Sequence, residues 1–345
     1  MTPDTPSEAA LPAVSVIVPA YNAASTIARQ LEALSRQRVD VEWEVIVSDN
    51  GSTDRTADIA RSWAGRLPLR VVDASARRGP SSARNAGAAA AHAPLLAFCD
   101  ADDAVADDWL AHLLPTLEAN DVVVTCARIE SPFSTTERPL FDLVTTLRMP
   151  FLPELPFGSS SRLAVSAEAF RRVGRFDESL RTGEDVDLSW RLQLSGYRLH
   201  ECRDALIDHH HRSGFIATVR QYAGYQRGRR ELQHRYAQVI DEFNAARGTA
   251  PDPDWEAGVV NAAQPTVDAP SSRMGRVVAY LRDPDERRQF ARRVMQSGRL
   301  RAARSLGLFL GRIVGRIDSS QQQVPASLAR TYIDRERPFV RRPTS

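Results

Sequence analysis

Along the first 130 residues, short apolar runs alternate with stretches whose apolar positions recur three or four apart. Residues 14–18, 44–47, 70–72, 95–99 and 121–125 have strand length. Their near-continuous apolar character suits strands buried on both faces of a parallel sheet. Between them, 26–36 places Ile27, Leu31 and Leu34 on one helical face, and 83–91 and 108–118 also predict helices. Ser52 or Thr53 stands where it can cap a helix after the second strand. Strands separated by single helices predict βαβ units, hence an α/β fold with a mostly parallel sheet flanked by helices.

Polar residues collect where these strands end. Tyr21-Asn22, Asp49-Asn50, Arg84-Asn85 and Asp100-Ala101-Asp102-Asp103 each lie at or just beyond a strand terminus, the edge at which open α/β sheets bind ligands. The last cluster puts three carboxylates within four residues. Two like charges about 4 Å apart cost on the order of 4 kcal/mol at an effective dielectric near 20. A hard divalent cation with oxygen ligands would relieve that cost. A solvated acidic turn ahead of the next helix is the competing explanation, and the cluster alone leaves both open.

The second half is less regular. Residues 131–156 show no period and are long for a loop, which suits a lid or binding segment, or an insertion. A strand is predicted at 162–165, a helix at 166–173, and a second helix starting near Glu184, in Glu184-Asp185-Val186-Asp187. Carboxylates there enjoy the helix dipole and stay ionised, which suits either a cap or a general base. Asp187 reads as structural and Trp190 as core. A strand at 205–207 runs into His209-His210-His211, and on a strand His209 and His211 share a face. A basic helix follows at 219–230, then a Pro/Asp/Ala-rich linker at 248–272. Nine arginines lie in 287–316, where Leu300, Ala303, Leu306, Leu310, Ile313 and Ile317 form a helical stripe. Such a stripe packs on its own protein or a partner, or lies on an anionic membrane surface. Residues 1–12 and 338–345 read as disordered.

Composition narrows the chemistry. The 345 residues carry a net charge of +2, and every basic side chain but the histidines is Arg. The absence of Lys excludes lysine Schiff-base chemistry and a phosphate loop ending in Gly-Lys-Ser/Thr. Three widely spaced cysteines without CxxC indicate neither a disulfide framework nor a zinc cluster. The N-terminal residues lack the pattern of a signal peptide, and no run approaches the ~20 apolar residues of a membrane span. A cytoplasmic protein is expected, in contact with the inner face of the membrane if the basic helix binds lipid.

Val18-Pro19-Ala20-Tyr21-Asn22, Asp49-Asn50-Gly51-Ser52-Thr53-Asp54, Gly79 with Ala83-Arg84-Asn85 and Gly87, Asp100-Ala101-Asp102, and Gly183-Glu184-Asp185 through Trp190-Arg191-Leu192 occur in the order and spacing of a known family. The chain resembles the family 2 glycosyltransferases, inverting nucleotide-sugar-dependent enzymes of the GT-A (Rossmann-like) fold, over roughly residues 14–230. The resemblance implies a nucleotide-sugar-binding half at 13–127 and an acceptor-binding half of the same domain at 128–240; outside it, 241–345 read as a linker and a mostly helical basic C-terminal extension. It implies that Pro19, Tyr21, Asn22, Asp49, Arg84 and Asp100 bind the nucleotide sugar. Asp102 and His209, with His211 as second choice, would hold Mg²⁺ or Mn²⁺. Asp185 would be the general base, supported by Glu184. The donor would be a nucleotide-diphosphate sugar. The acceptor would be a hydroxyl on a glycan, a lipid-linked molecule or a small molecule, in cell-envelope or glycoconjugate synthesis. Processive relatives carry Gln-x-x-Arg-Trp near 221–230; that tryptophan is missing here, which predicts single-sugar, non-processive transfer. A non-catalytic binding module on the same fold is the alternative. A sugar nucleotidyltransferase fits less well, because 19–25 offers no glycine or cation.

Overall fold

A computed structural model describes residues 11–130, 141–209, 215–248, 302–311 and 322–340. The chain divides into two compact units. The first comprises residues 1–128, 143–148 and 154–209; the second comprises 129–142, 149–153 and 210–345.

The first unit is built on β1 (Val14–Ala20), β2 (Trp43–Asp49), β3 (Leu69–Asp73) and β4 (Leu95–Phe98), side by side in the order β3-β2-β1-β4. All three pairings are parallel, with Ala20 opposite Asp49 and Asp49 opposite Asp73. Three strands therefore end at one level, and their polar termini share one edge. Beyond β4 the sheet continues through β10 (Leu163–Ser166), β6 (Val122–Glu130), β11 (Leu199–His209) and a two-residue β5 (Ala104–Val105), with antiparallel pairing at β4–β10, β10–β6 and β11–β5. Short strands β7 (Phe141–Val144), β8 (Leu147–Met149) and β9 (Leu152–Phe157) fall where the sequence shows no period. The expected irregular segment is thus partly strand: two prolines interrupt β9, and one face of β7 stays exposed, so neither reads as an apolar run.

Both sheet faces are covered. On one, Val14, Val16 and Val18 pack with Ile27, Leu31 and Leu34 of α1 (Ile27–Ser35) and Trp109, Leu110 and Leu113 of α4 (Trp109–Glu118). On the other, Ile17, Leu96 and Phe98 pack with Phe170 of α5 (Ala167–Arg172) and Leu188 and Leu192 of α6 (Glu184–Leu194). This is why β1 reads as apolar at every position but Ser15, whose hydroxyl donates to Glu44. Helix α3 (Pro80–Ala90) lies against β1 and β2 through Gly87, where a Cβ would stand 2.6 Å from Ile17 Cγ2 and 2.4 Å from Ser48 Oγ.

The cap expected from Ser52 or Thr53 does not form. Helix α2 (Thr56–Arg61) starts beyond Ser52 and Thr53, which bond to Asn22 instead. Ser166 does cap α5, accepting from Ala169 N at 3.2 Å. Trp190 is buried core, its Nε1 donating to Leu155 O at 2.8 Å.

In the second unit, α7 (Phe215–Arg235) is followed by α8 (Ala237–Arg247), a helix α9 over 302–311, and α10 (Ala326–Val340). Helix α10 packs on α8 through Phe243 and Tyr332, whose rings lie 5.7 Å apart, and through Arg330–Glu242 at 2.6 Å. It runs on to Val340, past the start of the tail expected to be disordered. Residues 1–10, the linker 249–272, most of the 287–316 basic run, His210 and His211 lie outside the described residues. No helix among the described residues is long and apolar enough to cross a membrane.

Candidate active site

The β1 and β2 termini are tied together. Asn22 adopts φ 48° and accepts from Thr53 N at 2.8 Å, while its own N–H donates to Ser52 Oγ at 3.0 Å. Asp54 accepts from Ala24 N at 3.1 Å and Thr56 Oγ1 at 2.5 Å. Asn22 and Asp54 thus shape the edge by tying loop to loop. Asp49 sits beside them, one oxygen accepting from Ser52 N at 3.3 Å. Pro19 is half-buried and opposite Ser48; Tyr21 is half exposed, with the Arg78 guanidinium 5.1 Å from its ring centroid.

Asn50 positions the next segment. Its Nδ2 donates to Ala74 O and Arg77 O at 2.6 and 2.9 Å, and its Oδ1 accepts from Gly79 N at 2.8 Å. Gly79 takes φ 136°, and Pro80 opens α3 behind it. The helix then delivers Arg84 and Asn85. Asn85 clamps the 176–178 segment, accepting from Phe176 N and donating to Phe176 O and Glu178.

Arg84 joins the two halves of the motif set. It is buried at 4% exposure; Nη2 lies 2.7 Å from Asp100 Oδ1 and Nη1 3.3 Å from Glu184 Oε1. Phe176 lies beneath it at 5.7 Å and packs into a cluster with Phe98 and Phe170. Burial works against the guanidinium's charge, yet Asp100 and Glu184 hold its pKa above the ordinary value. Its buried Nε has no partner among the described residues.

Gly183, at φ 83°, turns the chain into α6, so that Glu184 and Asp185 stand in its first turn. Burial, and then the charge of Asp185, push Glu184 up to about 7 against the pull of Arg84. Burial also raises Asp185, although its Oδ1 accepts from Val186 N at 2.9 Å. Of the two neighbouring carboxylates, Glu184 thus titrates in the range that suits proton transfer near neutrality, and Asp185 is shifted in the same direction. Asp187 is fully buried and paired with Arg191 at 2.7 Å, the structural role expected of it.

On the far side of the β4 turn, Asp102 is partly exposed, and its carbonyl accepts from Arg29 of α1 at 2.5 Å. Asp103 is buried and accepts from His209 Nδ1 at 2.9 Å. That bond raises the His209 pKa. Among the described residues no three His, Cys, Asp or Glu side chains gather as a metal-binding set.

Several functional neighbours escape sequence reasoning. Asp103 meets His209 across 106 positions. Arg29 holds the acidic turn. Arg162 is buried behind the site, its pKa lowered by burial while Asp185 and Asp103 oppose the shift. An arginine opening an otherwise apolar strand is the signal that marks Arg162. Cys99 is buried, and burial pushes its thiol far up, as expected of an inert core thiol.

Residues 15–173 match the model of glycosyl transferase family 2. Glycosyltransferase AglE of Haloferax volcanii is 30% identical over 204 residues, covering 58% of this chain and 67% of that protein. Validoxylamine A glucosyltransferase of Streptomyces hygroscopicus subsp. jinggangensis is 31% identical over 235 residues, 56% of this chain. Pre-mycofactocin glycosyltransferase of Mycobacterium tuberculosis is 32% identical over 222 residues, 61% of this chain. The chain spans about half the length of these last two relatives, 54% and 46%. In fold, it is similar to a mannosyltransferase from Pyrobaculum calidifontis in complex with GDP-Man and Mn²⁺, with a TM-score of 0.51 at 20% identity over 87% of this chain and 88% of that one. S. aureus TarS 1–349 in complex with UDP-GlcNAc gives 0.50 at 19% identity, over 87% and 89%. These likenesses, the shared strand-end edge and the motifs converging on it place the chain in glycosyl transferase family 2.

Proposed function

We propose that this chain transfers a single sugar, with inversion, from a nucleotide-diphosphate sugar to an acceptor hydroxyl, in a reaction that uses a divalent cation. The observation that carries the reading is Arg84, a buried cation bridging Asp100 at the donor-side strand terminus and Glu184 in the first turn of α6. A buried arginine held by two carboxylates from different motifs is costly unless each contact is kept, because losing one partner leaves charge uncompensated. It sets the donor-side and base-side elements in one geometry.

In this reading Pro19, Tyr21 and Asp49 line the nucleoside pocket, and Asn22 keeps its walls together. Arg84 and Asp100 hold the donor. Asp185 takes the proton from the acceptor hydroxyl as that oxygen attacks the anomeric carbon, from the face opposite the departing nucleoside diphosphate. Its raised pKa makes it a better base than an ordinary aspartate, and Glu184 supports it. Asp102 and His209 fit a Mg²⁺ or Mn²⁺ ion that the donor's diphosphate completes, since such ions are commonly held by one or two protein groups plus phosphate oxygens. The support for His209 is its Nδ1–Asp103 bond, the arrangement that fixes a ligating histidine's ring and directs Nε2 outward. When bound, the ion supplies compensation for charge on the leaving diphosphate.

Calorimetric titration with UDP-, GDP- and dTDP-sugars, with and without Mn²⁺, tests the reading. UDP-GlcNAc and GDP-mannose come first, because the structurally similar proteins were solved with them. Asp185→Asn is expected to keep donor affinity within about threefold while lowering transfer by at least about a hundredfold, the range of a lost general base. Loss of donor binding in this variant would contradict the role assigned to Asp185. Failure of every donor to bind would favour the non-catalytic alternative.

A further inference from the structure

Helix α9 presents two different faces. Its Ala303, Gly307 and Gly311 are buried, the two glycines against α7: a Cβ on Gly307 would stand 2.5 Å from Val219 O, and one on Gly311 2.7 Å from Ala223 O. Each step of four along α9 advances four along α7, so the two helices run in the same direction. Arg304 lies over the Tyr222 ring at 5.3 Å and closes one flank of the pair. Helical phase sends Leu306 and Leu310 to the opposite flank with Phe309 beside them, and sends Ile216 and Arg220 of α7 to that same flank.

These residues face solvent. Ile216 is 66% exposed, Phe309 58%, Leu306 41% and Leu310 37%. The stripe predicted from sequence therefore divides: Ala303 turns inward with the glycines, while Leu306 and Leu310 turn outward. Large apolar side chains clustered outward on two adjacent helices mark an interaction surface. The charge of the sequence to which they belong says what kind. Residues 215–230 hold four arginines and no acidic residue, and 287–316 hold nine arginines and none, in a chain whose net charge is only +2. An apolar strip set in one-signed positive sequence suits an anionic lipid surface, where leucine and phenylalanine enter the acyl boundary and arginines meet phosphates.

The geometry points to the α7–α9 face of Ile216, Leu306, Phe309 and Leu310 as a docking surface for an anionic membrane. This is independent of the sugar-transfer reading. The test is flotation of the full chain with phosphatidylcholine vesicles, with and without phosphatidylglycerol. The protein is expected to float only with the anionic vesicles and to be released by high salt, since screening weakens the arginine contribution. The Leu306→Gln/Phe309→Gln double variant is expected to lose at least about tenfold in vesicle affinity, because its apolar anchor is gone. Arg220→Gln should lose a few-fold and show a shallower salt dependence. Both carry exposed substitutions, so an unchanged circular-dichroism melt confirms that they fold. Absence of flotation, equal binding to neutral vesicles, or an unaffected double variant would overturn the proposal. So would a dimer, seen by light scattering, that the double variant dissociates, because the face would then belong to a second copy. Donor titration on the double variant keeps this outcome separate from the transferase reading, since donor affinity is expected to be unaltered.

Discussion

Glu184 is the residue at which the site's electrostatics become measurable. Its carboxyl is pushed up to about 7 from an ordinary 4.5, chiefly by burial. In the unfolded chain it ionises near 4.5, so between pH 4.5 and 7 the native state holds a proton that the unfolded state has released. Stability must therefore fall as pH rises through that window and level off above it. The full shift is worth about 3 kcal/mol. Glu184→Gln removes the titration. The melting-temperature difference, variant minus wild type, is expected to climb from pH 4.5 to 7 and stay flat beyond. A flat difference throughout would mean that Glu184 ionises normally. That Glu184 and Asp185 lie at a helix start was legible from sequence. The shift was not, because it depends on the burial that α6 and its neighbours impose and on Arg84, a hundred positions away.

At the scale of elements, strand ends were the most legible feature. Leu95 through Cys99 followed by Asp100 locates a buried strand and its polar terminus in one reading, and Asp49 does the same for β2. Residues that close the site from the side were hidden: the Asp103–His209 and Arg29–Asp102 contacts join elements that no local pattern associates. Ser52 and Thr53 misled, because a cap and a loop tie use the same side chains, and Asn22 takes the offered bonds first. Gly87 carries an element-level prediction. Alanine there would gain up to about 1 kcal/mol of helix propensity. It would also drive a methyl group into Ser48 and Ile17 of packed core strands, where overpacking costs about 1–3 kcal/mol. Gly87→Ala is expected to lower the melting temperature and to raise KM for the donor, because α3 also carries Arg84. A melting temperature equal to wild type would show that α3 can shift without cost.

Over the whole molecule, chemistry and basicity are divided between the two units. Every described candidate site residue, from Pro19 to His209, belongs to the first, whereas α7 and α9 with their outward apolar face belong to the second. The net charge of +2 conceals this division, since acidic strand ends in one unit offset the arginines of the other. The bonds around Asn50 give the molecule a further property. Asn-Gly is the dipeptide whose side-chain amide is most readily lost, because glycine's unhindered nitrogen folds back onto the asparagine carbonyl. Asn50-Gly51 is such a pair, yet Asn50 is only 5% exposed and its amide makes three hydrogen bonds. Folding should therefore shelter the pair from chemical ageing, and time spent in the unfolded state should leave a permanent mark. Peptide mass mapping is expected to find aspartate or isoaspartate at position 50 in heat-cycled protein and little in protein stored folded for the same time. Equal conversion in the two samples would show that the bonds give no shelter; unequal conversion makes residue 50 a chemical record of how long the strand-end edge has been apart.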